Sequence, residues 1–217
     1  MFTTNLLNVK FLPAAVAGGA RAILLLVHGR GGRLLLFDFM AKRGRLKIFD
    51  ILSLEAPHPD FVPEMKVPGF SWFVLPEKKG LEESRMKLSQ LLEELEAAGY
   101  ARDKIFWLGF SQGAVMGLDT ALRSDYSLGG VVGVSGFCLQ PDEYPKAFGA
   151  AAKKTPLLLT TGTRDLIVPG EPAQKDFLRL KDMGVNLEIR EYDKPHSFDL
   201  KREVPEIEDW LSLRLSD

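Results

Sequence analysis

The chain has 217 residues, 28 basic against 29 acidic side chains, and a single cysteine. With 46% hydrophobic and 26% charged residues it has the composition of an ordinary globular protein, able to bury roughly 70–75% of its unfolded surface as one domain or at most two small ones. A formal charge of -1 gives no general attraction to nucleic-acid phosphates or anionic lipid, and Cys138 alone allows neither an internal disulfide nor a Cys/His zinc cluster.

In chain order, the apolar stretch Phe11–Ala20 follows Lys10 and superficially resembles a secretory signal, with Ala15-Val16-Ala17 as its cleavage site. Pro13, Gly18 and Gly19 interrupt it, so an edge strand or hairpin is expected instead. No segment offers the ~20 uninterrupted apolar residues of a membrane span, and a cytoplasmic location is the default expectation. Ala22–Val27, Lys104–Leu108, Gly130–Val134 and Pro156–Thr160 are short apolar runs bounded by Gly or Pro, the pattern of strands covered on both faces. Lys47–Leu54 and Asn186–Tyr192 add two more strands. Leu88, Leu91, Leu92 and Leu95 recur at helical spacing before Gly99. Pro172 and Gly184 bracket a second helix with Ala173, Phe177 and Leu180 inward, and Pro205 opens a third carrying Ile207, Trp210 and Leu211. Such alternation predicts a single α/β domain over residues 1–217, with a mostly parallel central sheet and helices on both faces. Chemistry in such sheets sits at the carboxyl ends of the strands.

One strand end stands out. Gly109-Phe110-Ser111-Gln112-Gly113 follows the strand Lys104–Leu108 and precedes the helix-like Ala114–Leu122, which is G-x-S-x-G in the context that gives it meaning. A turn this tight leaves no room for large flanking side chains and exposes the Ser111 hydroxyl beside a helix N-terminus. A serine nucleophile needs a base, and the base needs a carboxylate to orient it. Of three histidines, His28 and His58 precede Ser111, whereas His196 follows the last strand and fits the chain order serine, acid, histidine. Asp165, in Thr161-Gly162-Thr163-Arg164-Asp165, lies at a strand end between them; Asp193, close to His196, is the rival acid. Two backbone N–H groups must hold an oxyanion, and those of Gln112 and Arg30 are expected to do so, the latter in the glycine-rich loop His28–Gly32. The Arg30 side chain is either a solvent-facing charge or a contact for an acidic substrate. A phosphate-cradling G-x-G-x-x-G fails because Leu34 stands where the third glycine belongs.

Together HGRGG at His28–Gly32, GFSQGA at Gly109–Ala114, SG at Ser135–Gly136, TGTRDLIVP at Thr161–Pro169 and His196 resemble the α/β-hydrolase superfamily, and within it the phospholipase/carboxylesterase family that includes acyl-protein thioesterases. The resemblance implies hydrolysis of small-molecule carboxylic esters or thioesters through an acyl-serine, with no metal and no organic cofactor. It makes Ser111 the nucleophile, His196 the base and Asp165 its orienter. Pro195 stands where the family usually has glycine, and Arg33 follows the loop glycines where members often carry an acid.

Pro57–Pro76 holds five of the 13 prolines and reads as a long irregular loop, a feature that is usually functional. Phe70, Trp72 and Phe73 in it, with Phe61 and Met65, are candidate acyl-pocket residues, and Phe137 after Ser135-Gly136 is a further wall. Alternatively these aromatics pin the segment to the core. The resemblance favours the pocket, since the family's corresponding segment lies by the active site. Little sequence remains for a cap, so no large cap domain and an open site are expected. Carboxylesterase activity leads. Thioesterase or lysophospholipase activity on longer chains, and a weakly active ligand-binding protein on the hydrolase fold, remain as alternatives. A homodimer stays open.

Overall fold

A computed structural model describes residues 2–15, 21–34, 38–41, 44–62, 66 and 68–216. Val16–Ala20, which complete the first apolar stretch, and Met65 lie outside the described residues.

The apolar runs pair into one seven-stranded sheet. Its strands are β1 (Val9–Leu12), β2 (Ile23–Val27), β3 (Asp50–Leu54), β6 (Ile105–Phe110), β7 (Gly130–Val134), β8 (Leu157–Gly162) and β9 (Leu187–Tyr192), in the spatial order β1-β3-β2-β6-β7-β8-β9. Every pairing is parallel except β1 with β3, and this antiparallel edge strand begins at Val9 and takes only Phe11 and Leu12 from the first apolar stretch. Alternation along the strands divides the core. Ile23, Leu25, Val27 and Trp107 face one layer, and Leu24, Leu26, Phe106 and Leu108 the other.

The first layer is covered by α2 (Leu81–Ala97), α3 (Gln112–Arg123) and α5 (Gly170–Asp182), whose Leu88, Leu91, Val115, Phe177 and Leu180 are buried in it. The second is covered by the short α1 (Asp38–Ala41) and by α6 (Glu203–Ser216), through Met40, Ile207, Trp210 and Leu211. A last short helix, α4 (Tyr144–Ala147), leads towards β8.

Two boundaries differ from expectation. The strand expected over Lys47–Leu54 starts at Asp50, because Gly44–Ile48 forms a 3₁₀ turn. Leu46 and Phe49, three residues apart, both enter the core, a spacing that three residues per turn brings to one side. α6 begins two residues before Pro205, which a first turn tolerates because its N–H groups have no partner there.

The larger correction concerns Pro57–Pro76, where His58–Phe61 and Pro68–Ser71 are strands and not irregular loop. β4 (His58–Phe61) and β5 (Pro68–Ser71) form an antiparallel ribbon, registered His58 to Ser71 and Phe61 to Pro68. A separate two-stranded ribbon tolerates prolines that a central strand does not, and these hide its pattern in the sequence.

Candidate active site

The turn after β6 is built by close approach. A Cβ on Gly109 would strike the Gly113 carbonyl, and one on Gly113 would strike that of Val27. Between them Ser111 adopts φ 52° and ψ -116°, a left-handed setting that costs a non-glycine residue roughly 1–3 kcal/mol. Neighbouring structure holds it there. The Ser111 N–H donates to the Val134 carbonyl at 2.8 Å, and its own carbonyl accepts the first α3 bond from Val115 N–H at 3.0 Å. The α3 N-terminus therefore presents the Gln112 N–H at the turn, one of the amides a helix leaves free.

Asp165 and His196 arrive from the ends of β8 and β9. His196 Nδ1 lies 2.7 Å from Asp165 Oδ2. The other carboxylate oxygen accepts the N–H groups of Ile167 (3.0 Å) and Val168 (2.8 Å), so the buried Asp165 is fixed at both ends. The His196 ring packs 4.8 Å from that of Phe110, the residue before Ser111. Asp193 points elsewhere. It is exposed and bonds Arg164 Nε at 2.6 Å and Thr163 Oγ1 at 3.2 Å, and Arg164 holds its carboxyl below the usual range. Pro195 is accommodated, its carbonyl accepting the Ser197 N–H at 2.7 Å in a tight turn.

The loop His28–Gly32 lies directly against Ser111. A Cβ on Gly29 would stand 3.0 Å from Ser111 Cβ. Gly31 N–H donates to Ser71 Oγ (3.1 Å) and Gly32 N–H to the Gly29 carbonyl (3.1 Å), while Arg30 N–H has no partner among the described residues. The Arg30 guanidinium bonds Asp60 at 2.9 Å, and that of Arg33 bonds the Pro68 carbonyl at 2.9 Å. The other two histidines are engaged away from Asp165 and His196. His28 is buried, its Nδ1 2.7 Å from the Gly29 carbonyl and its Nε2 accepting Ala56 N–H at 3.0 Å; burial lowers its pKa and keeps it neutral. His58 Nε2 meets the Gly80 carbonyl at 2.9 Å.

The candidate pocket residues separate. Phe70 and Phe137 are half-buried at the edge of the first core layer and Phe61 is exposed. Trp72 and Phe73 are 0% exposed, so they cannot line an open pocket; here the pinning alternative applies. Trp72 Nε1 donates to the His28 carbonyl at 2.9 Å and Ser84 Oγ to the Trp72 carbonyl at 2.6 Å. The sequence offered no sign of the Gln112 side chain's part in this. Its amide accepts Trp72 N–H at 3.0 Å and donates to the Phe73 carbonyl at 2.8 Å. Cys138 is buried, and burial pushes its thiol pKa up, which disfavours the thiolate. A cavity of about 300 Å³ lined by Arg85, Asp119, Arg123 and Tyr126 lies at the opposite end of α3 from Ser111.

The parallel sheet order, the Ser-bearing turn between β6 and α3, and an Asp–His pair from the next strand ends define an α/β-hydrolase. The model of the phospholipase/carboxylesterase family matches residues 14–215, and the chain belongs to that family. It is a hydrolase of the carboxylesterase and thioesterase class. Acyl-protein thioesterase 1 of Yarrowia lipolytica is 27% identical over 222 residues, covering 95% of this chain and 96% of that protein. Acyl-protein thioesterase 1 of Schizosaccharomyces pombe is 32% identical over a shorter stretch, 57% of this chain and 54% of that protein. Carboxylesterase SOBER1 of Arabidopsis thaliana is 31% identical over 67% of this chain and 68% of its own length. Its crystal structure superposes with a TM-score of 0.79 over 90% of this chain and 100% of that one. Among the described residues no helix is long and apolar enough to cross a membrane.

Proposed function

We propose that the chain is a serine carboxylesterase working through an acyl enzyme on Ser111. The Ser111 hydroxyl attacks the ester carbonyl while His196 Nε2 takes its proton, and His196 Nδ1–H stays bonded to Asp165. The backbone N–H groups of Arg30 and Gln112 hold the oxyanion. His196 then returns the proton to the departing alcohol. Water attacks the acyl carbonyl, His196 takes its proton, and the acid leaves as Ser111 is reprotonated. The observation that carries this reading is the 2.7 Å His196–Asp165 contact with the imidazole packed on Phe110, next to Ser111 in the chain.

A second reading, a thioesterase or lysophospholipase acting on long acyl chains, is favoured by the apolar rim beside Asp165. Leu166 is 91% and Ile167 72% exposed there. Phe70 and Phe137 would wall the acyl site in either case. We also propose one domain and a cytoplasmic location; the single sheet drawing strands from Val9 to Tyr192 supports the first of these.

Hydrolysis of p-nitrophenyl esters from acetate to palmitate, beside a palmitoyl thioester, tests both readings. A short-chain optimum supports the carboxylesterase, and a long-chain or thioester preference supports the second. No turnover of any of them rejects both and leaves a ligand-binding protein.

A further inference from the structure

The two N–H groups assigned to the oxyanion belong to separate parts of the chain, the loop after β2 and the first turn of α3. Their spacing decides whether both reach one oxygen, and the direct contacts between the two elements, at Gly29 and Gly113, stop one residue short of Arg30. The β4–β5 ribbon touches both. On one side Asp60 Oδ2 accepts from Arg30 Nε at 2.9 Å and from Ser71 Oγ at 2.8 Å, and Ser71 Oγ in turn accepts the Gly31 N–H at 3.1 Å. Phe70 N–H donates to the Gly32 carbonyl at 3.0 Å. Gly69 sits so tightly on the loop that a Cβ there would run into the Gly31 carbonyl. On the other side the next two residues, Trp72 and Phe73, bond the Gln112 side-chain amide through both its oxygen and its nitrogen. Phe70 to Phe73 thus bond to the Arg30–Gly31 peptide, to the Gly32 carbonyl and to the side chain of Gln112.

From this arrangement we infer that Asp60 and Ser71 are positioning residues for the oxyanion hole: they fix the Arg30–Gly31 backbone at the distance from Gln112 N–H that a tetrahedral oxyanion requires. Ser71 is fully buried and the Asp60 side chain nearly so, and both are spent on the loop. A donor pair held in advance acts on the transition state more than on the bound ester. The inference rests on the Ser111 reading above.

The test uses the full chain with Asp60→Ala and Ser71→Ala, and Asp60→Asn as the conservative variant that keeps an acceptor. Four quantities are read: kcat and KM on p-nitrophenyl butyrate, the affinity of an alkyl trifluoromethyl ketone, inhibition by butyrate, and the thermal midpoint. The ketone forms a tetrahedral adduct with its oxyanion in the hole, whereas butyrate reports binding without one. Because losing one oxyanion donor outright costs ~10²–10³ in kcat, a displaced donor should cost about 10–100-fold in both kcat and ketone affinity. KM and butyrate inhibition should stay within about twofold, the signature of an interaction made in the transition state. Asp60→Asn should fall between wild type and Asp60→Ala. Should Asp60→Ala not fold, Ser71→Ala carries the test.

Unchanged kcat and ketone affinity in a folded variant would overturn the positioning role while leaving the Ser111 reading intact. A parallel fall of kcat, ketone affinity and butyrate binding together with the thermal midpoint would overturn it too, as damage to the fold. A wild-type chain that neither turns over the ester nor binds the ketone fails the Ser111 reading, and the positioning role falls with it.

Discussion

Lys194 Nζ lies 2.5 Å from Glu203 Oε1, with 2% and 0% of the two side chains exposed. The same oxygen accepts Thr160 Oγ1 at 2.5 Å, and Glu203 Oε2 accepts the Asp199 N–H at 3.0 Å. One carboxylate at the start of α6 thereby anchors the end of β8 and both sides of the segment that carries His196. Burial pulls the Lys194 pKa down and Glu203 opposes this, so the pair depends on both members. Removing one partner of a buried pair typically costs about 3–5 kcal/mol, which is the loss expected for Glu203→Gln in denaturant unfolding. Lys194→Met/Glu203→Gln should recover part of it. In Glu203→Gln kcat should fall about 10–100-fold, the order of loss from displacing a reacting group by about 1 Å.

Asp165→Asn should leave the fold intact and lower kcat by about 10⁴-fold, because the amide no longer fixes the His196 tautomer. Asp193→Asn should change kcat little, since Asp193 bonds Arg164 and Thr163 at the surface. Steady-state rates on p-nitrophenyl butyrate decide between the two acids, and a large loss in the Asp193 variant would reverse the assignment.

Gly113→Ala should destabilise the chain by at least the ~1–3 kcal/mol of ordinary overpacking, because its Cβ meets backbone that cannot rotate away. Gly44→Ala, whose Cβ meets nothing within 4 Å, serves as the control with little change. Urea midpoints of the two variants make the comparison.

Stability should also fall with acid in a defined window. Burial lowers the pKa of His28, so the unfolded chain binds the proton more readily than the folded one. Stability from this group is therefore present above the unfolded value of about 6.5 and is lost as the pH falls below it. Asp60 acts in the same direction lower down: Arg30 holds its carboxyl below the usual range, and its contribution is lost below about pH 4. Thermal midpoints between pH 8 and pH 5 should drop in wild type and flatten in His28→Asn, which retains a donor and an acceptor.

What could be read without the structure follows the range of the interactions. The strands Ala22–Val27 and Pro156–Thr160 carry their burial in the composition of five or six adjacent residues, and the Ser111 turn is written in two glycines. The pairing of Asp165 with His196 was legible because chain order limits the choice to three histidines and a few strand ends. The ribbon His58–Ser71 was not, since prolines and glycines break the alternation that marks a strand. Nor was the bond from Arg30 to Asp60, 30 residues away, or the side-chain role of Gln112, because nothing local to either residue encodes its partner. Trp72 and Phe73 show the same limit: an aromatic pair in a loop looks alike whether it faces a ligand or the core.

The proposed acyl enzyme requires Ser111 as the nucleophile. Its most direct test is labelling of the full chain with a fluorophosphonate, with the adduct mapped by peptide mass spectrometry, beside Ser111→Ala. The expected result is one stoichiometric adduct on the peptide containing Ser111 in wild type and none in the variant. Labelling that persists in Ser111→Ala, or no labelling of active wild-type protein, would contradict it.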